Sequence, residues 1–247
     1  MSVKTVMLTG GASGMALLAG KCYAKEGNNV VLVDLNEEGL KKAKEELSEY
    51  GDKILTVRAD VTKYSDAVEA RDKAVEAFGT IDILICCAGG AELRLLGRRG
   101  NFWEIPIDTY DFGIDLNLKG AIYFDHAVMA QMVKQNGGVI IHLGSITGEE
   151  GSSNNIAYAA SKSALMYGVT KSIAQAGAPY NIRCVCVAPG PVLTRAAMAN
   201  MKTMAGRAAD PQEIVDLIMY VASEKGAFIN GTTILADGGR NVMFNKT

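Results

Sequence analysis

Thr9-Gly10-Gly11-Ala12-Ser13-Gly14 decides how this chain folds. It follows a short apolar run at residues 3–9. It leads into residues 14–26, whose apolar positions Ala16, Leu17, Cys22 and Tyr23 read as a helix. A strand that closes on a glycine turn and opens a helix is the first half of a βαβ unit. Small residues in the turn let the backbone approach a pyrophosphate closely, and the helix N-terminus offers N–H groups and a positive dipole end. The spacing departs from G-x-G-x-x-G, because Gly11 follows Gly10 directly and Gly14 lies three residues beyond. Taken alone, the segment also fits a tight turn with no ligand.

Working outward, apolar runs at 30–34, 54–59, 81–87, 139–143, 182–188 and 232–236 read as strands. Helical patterns fill 37–50, 65–78, 108–135 and 157–175, and a last one starts at Asp210-Pro211 and runs to Ala222. Proline suits a first helical turn. Strand and helix alternate, and most strands are apolar on both faces. That combination predicts an α/β fold: a Rossmann-like, doubly wound parallel sheet of about seven strands with helices on both faces. No repeat, low-complexity segment or compositional linker interrupts it, so residues 1–247 read as one domain.

Bulk properties narrow the function. The chain has 247 residues, 49% of them hydrophobic and 21% charged, which is ample for a large core. A formal net charge of −2 gives no reason to expect nucleic-acid binding. No apolar run approaches the roughly 20 residues that span a bilayer, and no leader pattern opens the chain. A cytoplasmic location with no membrane partner is the expectation. Cys22, Cys86, Cys87, Cys184 and Cys186 are odd in number, and four lie in strand-like runs, so they read as reduced, buried thiols. Their spacing does not suit a metal site. His126 and His142 carry no motif, so they read as packed or surface residues.

Two further features carry chemistry. Tyr158 and Lys162 stand four apart and share one face of a helix. A phenol is rarely ionised at neutral pH, but a nearby ammonium favours the phenolate and makes such a pair usable for acid/base work. Asp34 closes the second strand, 20 residues after Gly14, where a carboxylate can accept hydrogen bonds from an adenosine ribose. It also discriminates: a 2′-phosphate about 4 Å away would be opposed by roughly 4 kcal/mol per charge pair at intermediate dielectric. NAD is therefore expected over NADP, although Lys41, Lys42 and Lys44 on the next helix can soften the preference.

Together these residues resemble the short-chain dehydrogenase/reductase family in its compact single-domain branch. The resemblance spans nearly the whole chain: the glycine loop, Asp34, Asp60-Val61, Ala88-Gly89, Asn117, Ser145, Tyr158, Lys162, Pro189-Gly190 and Asp237-Gly238-Gly239, in order and at matching spacing. It implies a catalytic set of Asn117, Ser145, Tyr158 and Lys162. Ser145 would hold the substrate oxygen and Tyr158 would transfer its proton. Lys162 would bind the nicotinamide ribose, and Asn117 would hold a relay water. The cofactor-binding residues it implies are Gly10, Ala12, Ser13, Gly14, Met15, Asp34, Leu35, Asp60, Val61, Cys87, Ala88, Gly89, Tyr158, Lys162, Pro189, Gly190, Val192 and Thr194. No metal is implied. The chain departs from the family in having Ala16 where a third glycine is usual and Cys86-Cys87 where Asn-Asn is frequent. An amide that would brace the sheet is lost there, and a packing change is expected.

The function expected is an NAD-dependent oxidoreductase that interconverts a secondary alcohol and a ketone. The alternatives are an NADPH-dependent 3-oxoacyl-carrier-protein reductase, which resembles the chain in fold and catalytic set, and a non-catalytic dinucleotide sensor. The family implies a homotetramer or homodimer built on helices near 117–135 and 157–175. Two variable segments bear on substrate. Residues 90–105 read as an irregular loop carrying Arg94, Arg98 and Arg99, which can act as a solvated loop, a subunit contact or a lip for an anionic substrate. Residues 194–207, with Met198, Met201 and Met204, read as an apolar lid.

Overall fold

The computed structural model describes residues 3–244. Its strands are β1 (Thr5–Thr9), β2 (Asn29–Asp34), β3 (Ile54–Arg58), β4 (Ile83–Cys86), β5 (Gly138–Leu143), β6 (Ile182–Pro189) and β7 (Thr233–Ala236). The helices are α1 (Gly14–Lys25), α2 (Glu37–Glu46), α3 (Tyr64–Phe78), α4 (Glu92–Leu95), α5 (Ile107–Ile114), α6 (Gly120–Gln135), α7 (Thr147–Glu150), α8 (Ile156–Ala164), α9 (Thr170–Gly177) and α10 (Pro211–Ala222). All seven strands form one sheet in the order β3-β2-β1-β4-β5-β6-β7, and every pairing is parallel.

Alternation along each strand divides the core. Val6, Leu8, Val30, Leu32, Ile83 and Ile85 face α1, α2 and α10. Their neighbours Met7, Val31, Val33, Leu84 and Cys86 face α3, α6 and α9. Parallel strands covered on both sides need apolar residues at every position, and these runs supply them. Phe124, fully buried on α6, is among the largest core side chains. Its burial contributes on the order of 1.5–3 kcal/mol.

Local signals place the helix ends. Asn36 Oδ1 accepts from Gly39 N at 3.0 Å and opens α2. At α10, Asp210 accepts from Gln212 N while Glu213 Oε2 accepts from Asp210 N at 2.9 Å, with Pro211 first in the helix. Gly79, at φ 78°, ends α3 in the left-handed conformation that glycine tolerates.

The predicted helix over 37–50 stops at Glu46 and gives way to a 3₁₀ segment, Ser48–Lys53, that turns at Gly51 (φ 57°). The two long predicted helices are each interrupted by one π-helical stretch, Asp115–Lys119 between α5 and α6 and Leu165–Val169 between α8 and α9. The predicted irregular loop 90–105 contains α4 and a 3₁₀ turn, Phe102–Glu104. Thr147–Glu150, after β5, adds a short helix that the periodicity did not signal.

Strand order reverses between β1 and β4. In an open α/β sheet the crevice at such a switch point, beyond the strands' C-terminal ends, is where ligands bind. The glycine loop follows β1 there, and residues 87–90 follow β4.

Candidate active site

The glycine loop is fixed by backbone geometry. Gly10 has φ 72° and Gly14 φ 59°, conformations that a side chain would strain. A Cβ on Gly10 would also meet the Ala88 backbone at 3.1 Å. Across the switch point Ala88 N donates to Thr9 Oγ1 at 3.1 Å, tying the two loops together. Ser13 heads α1 without using its hydroxyl as a cap, so the hydroxyl and the first-turn N–H groups are available to an anion. This donor set suits a pyrophosphate. Asp34 reaches back to the loop: Oδ2 accepts from Ala12 N at 3.1 Å and Oδ1 from Asn36 N at 2.9 Å. Leu35 beside it is 55% exposed and open to a ligand. Lys41 is held by Glu38 at 2.8 Å, so it does not neutralise Asp34.

Beyond β3, Asp60 Oδ1 accepts from Thr62 N at 3.0 Å and from Thr62 Oγ1 at 2.7 Å. Partial burial pushes the Asp60 carboxyl up, but these bonds and the cations of Lys63 and Arg58 outweigh it, and the pKa falls below the usual carboxylate value. Val61 is buried against Gly120 at the start of α6, where a Cβ would meet it at 2.9 Å.

The catalytic candidates converge. A cavity of about 330 Å³ is lined by Ser145, Tyr158, Lys162, Cys87 and Gly89, with Met15 from the glycine side. Pro189, Gly190, Val192 and Thr194 line it from the β6 side. Lys162 is buried; its Nζ donates to Leu143 O at 2.7 Å and lies 5.7 Å from the centre of the Tyr158 ring. An ammonium with so little water around it acts strongly on charge that develops at the phenol oxygen. Ser145 follows β5, and its Oγ accepts from Thr147 N at 3.1 Å, leaving the hydroxyl proton free to donate. The Cys87 thiol is pushed up to about 12 by burial, with the Lys162 ammonium acting against the shift.

Asn117 sits in the π-helical stretch before α6 and is buried. Its Oδ1 accepts from Gly90 N at 2.8 Å, and its Nδ2 donates to Gly90 O at 3.0 Å and Gly113 O at 2.9 Å. Both amide protons are engaged, so the side chain brackets the β4 loop. A water held there would fall to the second lone pair of Oδ1 or to the main chain. A Cβ on Gly89 (φ 149°) would stand 2.5 Å from Asn117 Oδ1 and 3.7 Å from Lys162 Nζ, so only glycine leaves room where the three meet.

The helix bearing Tyr158 is clamped. A Cβ on Gly113 would meet Ala157 Cβ at 2.7 Å, and one on Gly148 would meet Ser163 N at 2.9 Å, so α5 and α7 pack backbone-close on α8. Glu92, fully buried on α4, completes the clamp. Its Oε1 accepts from Ala157 N at 3.0 Å and its Oε2 from Tyr158 N at 3.1 Å. Nothing in the sequence singled out Glu92; the only signal was a carboxylate within a loop long enough to fold back on the site.

Of the alternatives for the loop arginines, a lip over the site fails for two of the three. Arg98 does not face the cavity: it forks onto Asp108 at 3.2 and 3.4 Å. Arg99 is exposed and not among the lining residues, so of the three loop arginines Arg94 alone lines the cavity. Arg195, next to Thr194, lines it too and was passed over. His142 is packed, as expected, and it is also partnered. Its Nε2 meets Asp125 Oδ2 at 3.0 Å and its Nδ1 meets Thr170 Oγ1 at 2.8 Å, all fully buried, and Cys86 Sγ lies 3.7 Å from Asp125 Oδ1. Burial alone would lower the His142 pKa, but Asp125 and the neighbouring Cys184 raise it well above the ordinary value. The five cysteines are free thiols, as expected, but only Cys86, Cys184 and Cys186 are buried; Cys22 and Cys87 are half-buried.

Residues 4–205 match the family model described as short chain dehydrogenase. The chain is 36% identical to trans-4-hydroxycyclohexanecarboxylate dehydrogenase of Sinomonas cyclohexanicum, over 98% of this chain and 94% of that one. It is 32% identical to 7alpha-hydroxysteroid dehydrogenase of Bacteroides fragilis, over 97% of this chain and 95% of that one. Among solved structures, NAD+-bound xylitol dehydrogenase superposes with a TM-score of 0.85 at 27% identity, covering 96% of this chain and 98% of that one. The chain belongs to the short-chain dehydrogenase/reductase family, enzymes that act on CH–OH groups with a nicotinamide dinucleotide.

Proposed function

We propose that this enzyme is NAD-dependent and interconverts a secondary alcohol and a ketone, with Tyr158 as the acid/base. The observation that carries this is the meeting of Ser145, Tyr158 and buried Lys162 around one cavity beside the β4 loop. The nicotinamide supplies the hydride acceptor or donor. The chain must do the rest. Ser145 donates to the substrate oxygen and steadies its changing charge. Tyr158 removes the hydroxyl proton during oxidation and returns it during reduction. Lys162 stabilises the phenolate and binds the nicotinamide ribose. Asn117 and Gly89 keep the lysine's surroundings open for a proton path to solvent.

The remaining assignments belong to the same proposal. Gly10, Ala12, Ser13, Gly14 and Met15 hold the pyrophosphate side. Asp34 and Leu35 hold the adenosine ribose, Asp60 and Val61 touch the adenine ring, and Cys87, Ala88 and Gly89 form the turn under the cofactor's adenosine ribose. Pro189, Gly190, Val192 and Thr194 hold the nicotinamide. The preference for NAD rests on Asp34, whose carboxylate repels a 2′-phosphate and has no lysine paired to it among the described residues. The xylitol dehydrogenase relative, solved with NAD+, agrees. An NADPH-dependent 3-oxoacyl-carrier-protein reductase would want cations where Asp34 stands. A dinucleotide sensor would not need the Ser145–Tyr158–Lys162 set. The substrate is a small alcohol or ketone, and the Sinomonas cyclohexanicum relative, named for a hydroxy acid, points toward an anionic one. Residues 1–247 act as one catalytic domain in the cytoplasm, assembled as a homotetramer or homodimer. Exposed Ile122 on α6 and Tyr167 beyond α8 are available for such contacts.

The test follows absorbance at 340 nm with NAD or NADP and a panel of polyols, hydroxysteroids and hydroxy acids. Tyr158→Phe is expected to remove at least about 100-fold of turnover, the lower end of acid/base contributions, while NAD still binds. A variant that keeps its activity refutes the acid/base role, and tighter NADPH than NADH binding refutes the cofactor preference.

A further inference from the structure

Three charged side chains line the cavity, Arg94, Lys162 and Arg195, and no carboxylate does. Lys162 is already bonded to Leu143 O. The two arginines are not engaged in this way. Among the described residues the Arg94 guanidinium has no hydrogen bond or ion pair, and the one recorded for the Arg195 side chain is a weak contact of its Nη2 to Met198 Sδ at 3.6 Å. Arg98, Arg207 and Arg240 by contrast pair with Asp108, Glu213 and Glu150, while Arg99, which also has no recorded side-chain partner, does not line the cavity. A guanidinium presents a planar fork of donors, and here two of them line one cavity without a carboxylate. Both side chains are exposed at its mouth, open to an entering ligand, and partial desolvation together with the charge of Arg195 lowers the Arg94 pKa.

The position of Arg94 is built. Glu92, two residues earlier, anchors α4 to the first turn of α8 through its buried carboxylate. The Arg94 guanidinium lies against Gly90, where a Cβ would stand 2.6 Å from Nη2, and Gly90 is itself held by Asn117. Arg94 and Tyr158 line the same cavity. The helix that bears Arg94 is thereby held on the β4 side of that cavity, with Arg195 reaching in from the segment after β6.

We propose that Arg94 and Arg195 form a carboxylate-binding subsite and that the enzyme's alcohols are small hydroxy acids. This rests on the dehydrogenase reading above and adds to it the two side chains that take the anionic group. The carboxylate bridges the two guanidiniums and turns the carbinol carbon toward Ser145 and Tyr158. The cofactor's pyrophosphate is the other anion that comes near, so the test is made with NAD already bound.

The complex with saturating NAD is titrated with cyclohexanecarboxylate and with cyclohexanecarboxamide, its neutral twin, by ligand-observed NMR. The carboxylate is expected to bind about tenfold tighter or better, the lower end for a hydrogen bond to a charged group. Arg94→Met is expected to erase that preference, Arg195→Met to reduce it, and Arg94→Lys to restore part of it. Equal binding of the two probes, no saturable binding of the carboxylate, or a preference that survives both Met variants overturns the proposal. NADH fluorescence gives each variant's cofactor affinity. A loss there matching the loss of carboxylate binding assigns the arginines to the pyrophosphate and also overturns it. Failure of the dehydrogenase reading shows separately, as no change at 340 nm with any alcohol while the carboxylate preference persists.

Discussion

Removing the Glu92 carboxylate should loosen the helix that carries Tyr158, the proposed acid/base. Glu92 is fully buried and accepts two backbone hydrogen bonds, from Ala157 N at 3.0 Å and Tyr158 N at 3.1 Å. No side chain caps α8 from its own N-cap position, so these bonds satisfy donors that would otherwise stand unpaired inside the protein. Leaving a buried donor unsatisfied costs about 1–3 kcal/mol. Losing an anion at a helix N-terminus adds roughly 0.3–1 kcal/mol. Glu92→Ala should therefore destabilise by about 4–5 kcal/mol, counting both donors at mid-range plus the helix-end term. At roughly 2–4 °C per kcal/mol for a chain of this size, the unfolding midpoint should fall by at least about 8 °C. Glu92→Gln keeps the shape and one acceptor but sets an NH₂ against a backbone N–H, so about half the loss is expected. Urea unfolding gives the energies. Steady-state kinetics give the second readout: kcat should fall in Glu92→Gln with little change in the KM for NAD, because Tyr158 shifts while the glycine loop does not. A loss below about 1 kcal/mol in Glu92→Ala, or a Glu92→Gln enzyme identical to the parent, would refute the idea that this carboxylate positions the tyrosine.

Other outcomes follow from the same geometry. Asp34→Ala should narrow the discrimination between NAD and NADP by about tenfold or more, the equivalent of 1.4 kcal/mol or above, read as the ratio of kcat/KM values; an unchanged ratio would remove Asp34 from cofactor choice. Cys87 lines the cavity, yet its thiol is pushed up to about 12 by burial, so iodoacetamide at pH 8 should leave it largely unlabelled in peptide mass spectra. His142 is held protonated by Asp125, with a pKa raised in the folded state. Its stabilising contribution is thus full below the unfolded value near 6.5 and is lost as pH rises through the folded value. The urea midpoint should decline from neutral into alkaline pH, and His142→Gln should flatten that decline. Asp125→Asn should cost about 3–5 kcal/mol, as expected when one partner of a buried pair is removed.

How much was legible follows from range. The glycine loop, Asp34, Tyr158 and Lys162 act through spacing within one strand–turn–helix unit or one helical turn, and local sequence records such spacing directly. The alternation of apolar strands and amphipathic helices gave the sheet and its covered faces for the same reason. Glu92 was invisible because its meaning depends on α4 folding back 65 residues against Ala157, and no local pattern marks that contact. Arg98 and Arg94 look alike in sequence, yet one is tied to Asp108 and the other lines the cavity. Helix direction after Leu93 decides between them. The π-helical stretches beside Asn117 and after Tyr158 were also beyond periodicity, since one extra residue in a turn leaves the apolar pattern almost unchanged.

The cysteines at 86 and 87 show how the fold absorbs a departure from the family pattern. An amide at such a position would tie β4 to its surroundings by neutral hydrogen bonds. Here Cys86 faces α6, and the neighbouring strand supplies charge instead: His142 on β5 meets Asp125 on α6 and reaches Thr170 on α9. A buried ion pair is a costly way to stabilise a sheet, because desolvation offsets most of its attraction. It is, however, a specific one, since a shift of either helix would strand a charge among Cys86, Cys184 and apolar neighbours. The pair lies beneath β5, the strand whose end carries Ser145 and whose Leu143 carbonyl holds Lys162. The charge that replaces the amide therefore fixes α6 and α9 against the strand on which Ser145 and the lysine's anchor depend. The expectation of a packing change without loss of the proton-transfer set follows from that arrangement.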